Sequence, residues 1–273
     1  LIKIKYEFIK LTINRENKGL YVLEEGFGKE LLERNKRRNG PIFGMNEFIS
    51  SSSANPVFEI YNKKYWEQIE NINLAQRATK KLRDFYAGKM SLEDVFDVEK
   101  WASLLAIIDM TATYHGAILW NVKLYYNPIN ELFEPIPYDG HRSKPNYHKH
   151  NIAYDNRIMF DLVDGPKSNL QNNNFYYLKK FFYNKDESLN SSFYDLYLDK
   201  LNTVSSSEYL DKFILKNLSQ IEKINSKIYA DYFYYDNKLQ YGLGLYYFSL
   251  PDFFQKAENI KKKTKNIKKM QIV

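Results

Sequence analysis

The spacing of the apolar residues changes once along this chain, and that change limits the fold more than any other feature. From Ile4 to Ile13 apolar and polar residues roughly alternate, with Ile4, Tyr6 and Phe8 on one side. Asn14 to Gly19 then supplies turn residues, and Leu20 to Leu23 is apolar again. A period of two interrupted by a polar turn predicts a β-hairpin. A second strand pair is predicted at Asn121 to Tyr126 and Phe133 to Tyr138, joined by a turn at Asn127 to Asn130. Beyond Pro145 the pattern becomes Tyr- and Leu-rich helix with polar breaks, as in Leu178 to Tyr183, Phe193 to Leu201 and Tyr209 to Ile228. That part reads as an all-helical lobe. No internal repeat is visible, and the whole reads as α+β.

Further helices lie between the strand pairs. Phe27, Leu31 and Leu32 lead into the charged run Glu33, Arg34, Lys36, Arg37 and Arg38, a short amphipathic helix that Asn39, Gly40 and Pro41 terminate. The serines from Ser50 to Ser53 form a loop, and Leu74 to Tyr86 reads as a helix closed by Gly88. Ser91-Leu92-Glu93-Asp94 resembles a capping box. The helix after it should run from about Val98 to Thr113, burying Trp101, Leu104, Leu105, Ile108 and Ala112 on one face.

With 273 residues, 44% of them hydrophobic, the chain can build one large domain or two lobes with a real core. Its 24 Tyr and 18 Phe, against few Gly and Pro, mean that rings should form much of that core. An AT-rich genome favours Tyr, Asn and Lys codons, so the Tyr enrichment carries no functional weight. The net charge of +7 and a pI near 9.1 suit an anionic partner such as a nucleotide, a nucleic acid or an acidic envelope polymer. Much of the excess lies in Lys261, Lys262, Lys263, Lys265, Lys268 and Lys269, a solvated helix end or tail. The absence of Cys excludes disulfides and thiolate metal sites. No apolar run approaches a membrane span and no signal peptide is present. Because the chain begins at Leu1 directly in a strand pattern, the true N-terminus is expected upstream, so a missing targeting segment has little meaning.

The densest chemistry lies at Tyr114-His115-Gly116, then Asn121, then Asp139-Gly140-His141 at the far end of the second hairpin. A helix delivers the first group and a returning strand the last. An amide oxygen and a carboxylate brought from facing strand ends to one point are hard ligands, able to hold magnesium against nucleotide phosphates. A plainer reading stands beside this one: Asn121 as a turn cap, Asp139-Gly140 as an ordinary turn, His115 as a core histidine. Short motifs of this kind also match by chance. His141, His148 and His150 with Asp139 raise a zinc site, but the spacing is loose and Lys144, Pro145 and Lys149 intervene, so a polar loop is the preferred reading.

Four segments in order resemble the spore-coat-protein-H (CotH) type family of atypical kinases. They are Gly19-Leu20-Tyr21-Val22-Leu23-Glu24-Glu25, Phe96-Asp97-Val98-Glu99-Lys100, Trp120-Asn121-Val122-Lys123-Leu124-Tyr125-Tyr126 and Glu134-Pro135-Ile136-Pro137-Tyr138-Asp139. The resemblance covers the first half of the chain well and the helical remainder only in character. It implies a protein-kinase-like two-lobed fold with a partial N-terminal β lobe and a predominantly helical C-terminal lobe. The core would occupy residues 1–165, with a partial N-lobe hairpin at 1–25 and a catalytic-type hairpin at 115–141, and the helical lobe residues 166–273. It implies ATP and Mg2+ or Mn2+ as cofactors, a protein substrate, and a lean to the cell envelope. Asp139 would be the metal-binding aspartate, Asn121 the metal-binding asparagine and Glu25 an acid beside the nucleotide. For Glu25, a solvated acid favoured by a helix start fits almost as well.

Two departures bear on activity. Where the family places an aspartate base a few residues before the asparagine, this chain has His115, Gly116 and Ala117. A histidine can accept a proton near neutral pH, which makes His115 the candidate base. A second acid two positions after Asp139 is replaced by His141. The nucleotide-anchoring lysine and its glutamate partner would belong to elements before residue 1. The sequence therefore supports two readings: transfer of the ATP γ-phosphate to protein Ser or Thr, or a catalytically degenerate pseudo-kinase acting as an envelope-associated or structural binding protein. A nucleic-acid-binding reading, prompted by Arg34 to Arg38 and the terminal lysines, has no accompanying motif and ranks below both.

Overall fold

The computed structural model describes residues 1–46, 56–140, 157–164, 175–235 and 250–270. Over these the chain is mixed α+β, with two small antiparallel sheets and nine helices. His141, His148 and His150, the remaining members of the zinc alternative, fall outside the described residues.

Strands β1 (Tyr6–Ile13) and β2 (Glu16–Glu24) form a two-stranded sheet, in which Tyr6 lies opposite Glu24. The turn is tighter than the sequence implied. Asn14 and Arg15 both take positive φ, 51° and 69°, as a two-residue hairpin turn requires. Glu16 to Gly19 therefore pair as strand instead of looping. The register slips between Leu11 and Thr12, opposite Gly19, whose φ of 89° suits a bulge.

Helix α1 (Lys29–Arg34) buries Leu31 and Leu32. It stops before the rest of the basic run because Lys36 turns left-handed, with Lys36 N–H bonded to Glu33 O at 2.9 Å and Arg37 N–H to Leu32 O at 2.8 Å. Arg37 then reaches the buried Glu134, donating from Nε at 2.9 Å.

The larger sheet has the order β4 (Phe58–Ile60), β3 (Ile42–Met45), β5 (Lys123–Tyr126), β6 (Phe133–Ile136), all antiparallel. Strands β3 and β4 had no counterpart in the sequence reading. Every residue of β3, β5 and β6 is buried, and a short strand buried on both faces shows no alternation.

Helices α2 (Lys63–Trp66) and α3 (Ile72–Tyr86) follow β4. Gly88, at φ 71°, closes α3 as expected. Ser91 and Asp94 do bond reciprocally, Ser91 N–H to Asp94 Oδ2 and Asp94 N–H to Ser91 Oγ, both at 3.3 Å. They close a single turn, however. The long helix α4 (Val98–Thr111) is capped by Asp97, whose side chain accepts from Lys100 N–H at 3.1 Å.

The later helices are α5 (Met159–Asp164), α6 (Lys179–Phe182), α7 (Ser191–Val204), α8 (Ser207–Tyr235) and α9 (Leu250–Met270). The terminal lysines thus belong to a helix. No helix among the described residues is long and apolar enough to cross a membrane.

One apolar core joins the two halves of the chain, running from Phe43 through α4 to Phe253 and Ile260. Its centre is aromatic: Phe181 lies 4.7 Å from Trp101, 5.0 Å from Phe96 and 5.4 Å from Phe193 between ring centroids. A smaller cluster of Ile2, Leu31, Leu32, Ile42, Tyr125 and Ile136 seats α1 on the sheet.

The core also holds a carboxylate. Asp109 of α4 is buried and accepts a hydrogen bond from the Tyr197 hydroxyl on Oδ2, while Oδ1 has no partner. Burial pushes this carboxyl up to about 7, against the pull of the Tyr197 hydrogen bond and the Lys256 charge. The folded state therefore holds this proton more tightly than the unfolded chain, where an aspartate titrates near pH ~4. The associated stability is complete below that value and lost as pH rises through about 7. Thermal midpoints of Asp109→Asn should lack this fall, and parallel pH profiles in the two proteins would refute the assignment.

Candidate functional site

The site is assembled from the end of α4 and the two ends of the β5–β6 hairpin. Helix α4 stops at Ala112, which takes a left-handed φ of 52°, with Thr113 N–H bonded back to Ile108 O at 3.1 Å. Alanine rarely adopts that conformation, and it costs about 1–2 kcal/mol. The reversal throws residues 114–117 into a 3-10 turn that carries His115. A second such turn, Leu119–Asn121, delivers Asn121 to the start of β5. Beyond β6, Pro137 and Tyr138 lead to Asp139 at φ 48°, a conformation that Asp tolerates better than most residues.

Gly116 allows the two segments to meet. A Cβ there would stand 3.0 Å from Tyr138 O and 3.2 Å from Gly140 Cα, so backbone packs directly on backbone.

His115 is the hub. Its Nδ1 lies 2.8 Å from Asn121 Nδ2, 3.2 Å from Asp139 Oδ2 and 3.2 Å from Asp139 O. The Asn121 amide also donates to His115 O at 2.9 Å, which fixes its orientation, since turning it over would set oxygen against oxygen. Nδ1 thus faces an amide donor on one side, which suits a lone pair, and two Asp139 oxygens on the other, which suit an N–H. The same orientation directs Asn121 Oδ1 away from the imidazole. That oxygen is not among the buried polar atoms lacking a partner.

Three of the four residues singled out from the sequence, His115, Asn121 and Asp139, thus come together. Asn121 is 6% exposed, whereas the Asp139 side chain is 37% exposed. Asp139 lines a recess of about 400 Å³ with Tyr6, Glu24, Thr113, Gly116 and Tyr138.

Glu25 lies elsewhere. Its carboxylate takes hydrogen bonds from Arg34 Nε at 2.9 Å and from Lys5 N–H at 2.9 Å, and the Arg34 hydrogen bond holds it below the usual carboxylate range. The recess receives Glu24 instead. Burial raises the Tyr6 and Tyr138 hydroxyls above their usual range, and the Glu24 charge raises both further. The sequence reading missed Glu24. Strand register would have found it, because Tyr6 and Glu24 are directly paired and share a face.

A larger cavity, about 510 Å³ and lined by Phe27, Tyr61, Tyr65 and Trp66, contains none of His115, Asn121 and Asp139. Among the described residues, no group of three or more His, Cys, Asp and Glu side chains is arranged to hold a metal.

The family model described as CotH kinase protein matches residues 3–268 of the chain. No curated protein matches it.

Proposed function

Because the chain belongs to the CotH kinase family, we propose that it binds ATP with Mg2+ or Mn2+ beside Asn121 and Asp139 and passes the γ-phosphate to a Ser or Thr hydroxyl of a protein. The observation that carries this reading is the meeting of Asn121 and Asp139 on His115, with Asp139 lining a recess.

The donor set fits a hard cation. Asp139 and Glu24 offer carboxylates on the recess wall, and Asn121 adds an amide oxygen that points away from the His115 ring. Mg2+ takes one or two protein carboxylates and completes its shell with phosphate oxygens and water, which two carboxylates on one recess wall match. When bound, that ion neutralises charge on the phosphate oxygens.

The chain's own residues hold and orient. His115 fixes the Asn121 amide through two hydrogen bonds and stands against Asp139, which makes it an orienting group in this reading. Its Nδ1 is enclosed by Asn121 and Asp139, which suits holding these two residues better than taking a proton from a substrate. Phosphoryl transfer depends mainly on positioning and charge neutralisation, and tolerates a weak base or none.

A second reading, a nucleotide-binding protein without transfer, has its own support. The segment from Thr113 to Asn121 contains no carboxylate. Ala117, in the stretch where the family has its aspartate base, is 1% exposed, with its carbonyl accepting from the Tyr177 hydroxyl at 2.9 Å.

Incubation with γ-labelled ATP, Mg2+ or Mn2+ and protein acceptors separates the two. Label on Ser or Thr is the expected result. Nucleotide binding with no label transferred selects the second reading, and no nucleotide binding at all removes both.

A further inference from the structure

Lys123 stands on β5 two residues after Asn121, and only 5% of it is exposed. A buried ammonium is costly unless its hydrogens and charge find partners. Here Nζ donates to Trp120 O at 2.9 Å and lies 4.8 Å from the centroid of the Tyr138 ring and 6.0 Å from that of Phe27. Those two rings pack edge to face, 5.0 Å apart. Both distances fall within reach of a cation–π attraction, which strengthens out of water.

The partners matter because of their neighbours in the chain. Trp120 immediately precedes Asn121, and Tyr138 immediately precedes Asp139. One ammonium therefore grips the residue before each of the two proposed oxygen ligands. Strand pairing sets Lys123 opposite Ile136, two residues from Tyr138, so the lysine lies where the hairpin's ends diverge from the sheet. Beyond that point the β5–β6 ladder no longer fixes the separation of the ends.

We propose that Lys123 is a positioning residue, whose ammonium ties Trp120 to Tyr138 and so sets the spacing between Asn121 and Asp139. This rests on the function proposed above. An apolar side chain of equal length would fill the space but leave the Trp120 carbonyl without this donor and the Tyr138 ring without its cation.

The test compares wild type with Lys123→Met and Lys123→Arg, titrating ATP with and without Mn2+. Lys123→Met should fold, by far-UV circular dichroism and a thermal transition near that of wild type. Its Mn2+-dependent ATP affinity should fall by roughly 10-fold or more, the usual effect of losing a group that orients metal ligands. Binding without metal should be unchanged, and Lys123→Arg, which keeps the charge, should restore most of the loss. A separate signature is an upfield shift of the Lys123 ε-methylene protons over the Tyr138 ring, present in the metal-free protein. Should Lys123→Met fail to fold, Lys123→Gln, which keeps a donor but no charge, decides the matter by the same two titrations. Wild-type Mn2+-dependent binding that both variants retain sinks this inference alone, as does equal loss with and without metal. Absence of such binding in wild type removes the proposed function and this inference with it.

Discussion

Asp139→Asn should weaken Mg2+- or Mn2+-dependent ATP binding by roughly 10- to 100-fold, as loss of a metal-site group does, and leave the fold intact. The carboxylate is partly exposed and stands outside the apolar core, so its charge contributes little to stability. Asparagine is the informative replacement because residue 139 sits at φ 48°. Asn accepts that left-handed conformation, whereas Ala would add strain of about 1–2 kcal/mol and confuse lost ligation with a displaced turn. Isothermal titration in the presence and absence of the ion is the check, with the thermal midpoint as control. Equal affinity in the two proteins would mean that residue 139 holds no cation.

Phe181→Ala should be the most destabilising of the substitutions considered, at about 3–5 kcal/mol, the range for truncating a buried aromatic residue. Its ring touches Phe96, Trp101 and Phe193, and so joins the β-bearing half to the helical half. For a chain of this size the thermal midpoint should fall by roughly 6–20 °C. Because one core crosses between the halves, circular dichroism and Trp fluorescence should shift together. Separate transitions, with only the helical half melting early, would show two independent cores.

The parts of the fold that the sequence revealed are those whose patterning is local. The first hairpin announced itself by alternation, and α4 by the spacing of Trp101, Leu104, Leu105 and Ile108, all of which proved buried. Strand β3 did not, because burial on both faces erases the alternation and Gly44 weakens the strand signal, and β4, with only three residues, is too short to show a period. Ser91 and Asp94 carried a genuine box, but the cap of α4 was the less conspicuous Asp97.

The site was legible to the same degree. His115, Asn121 and Asp139 stood out as chemically capable residues at the ends of predicted elements. The choice between Glu24 and Glu25 depended on strand register, which a sequence does not fix to one residue. A lysine within a strand reads as solvent-facing, so nothing in the chain alone placed Lys123 beneath two rings. His115 was visible as a candidate base, but the orientation of its ring by Asn121 is a property of three dimensions.

Mn2+ relaxation enhancement in the NMR spectrum of the wild-type protein, with ATP present, reads the position of the cation itself. Selective broadening of the His115 ring protons, the Asn121 side-chain amide and the Gly140 amide is expected, reversed by excess Mg2+. Broadening that spares all three while ATP and Mn2+ are bound would place the ion elsewhere and contradict the assignment of Asn121 and Asp139.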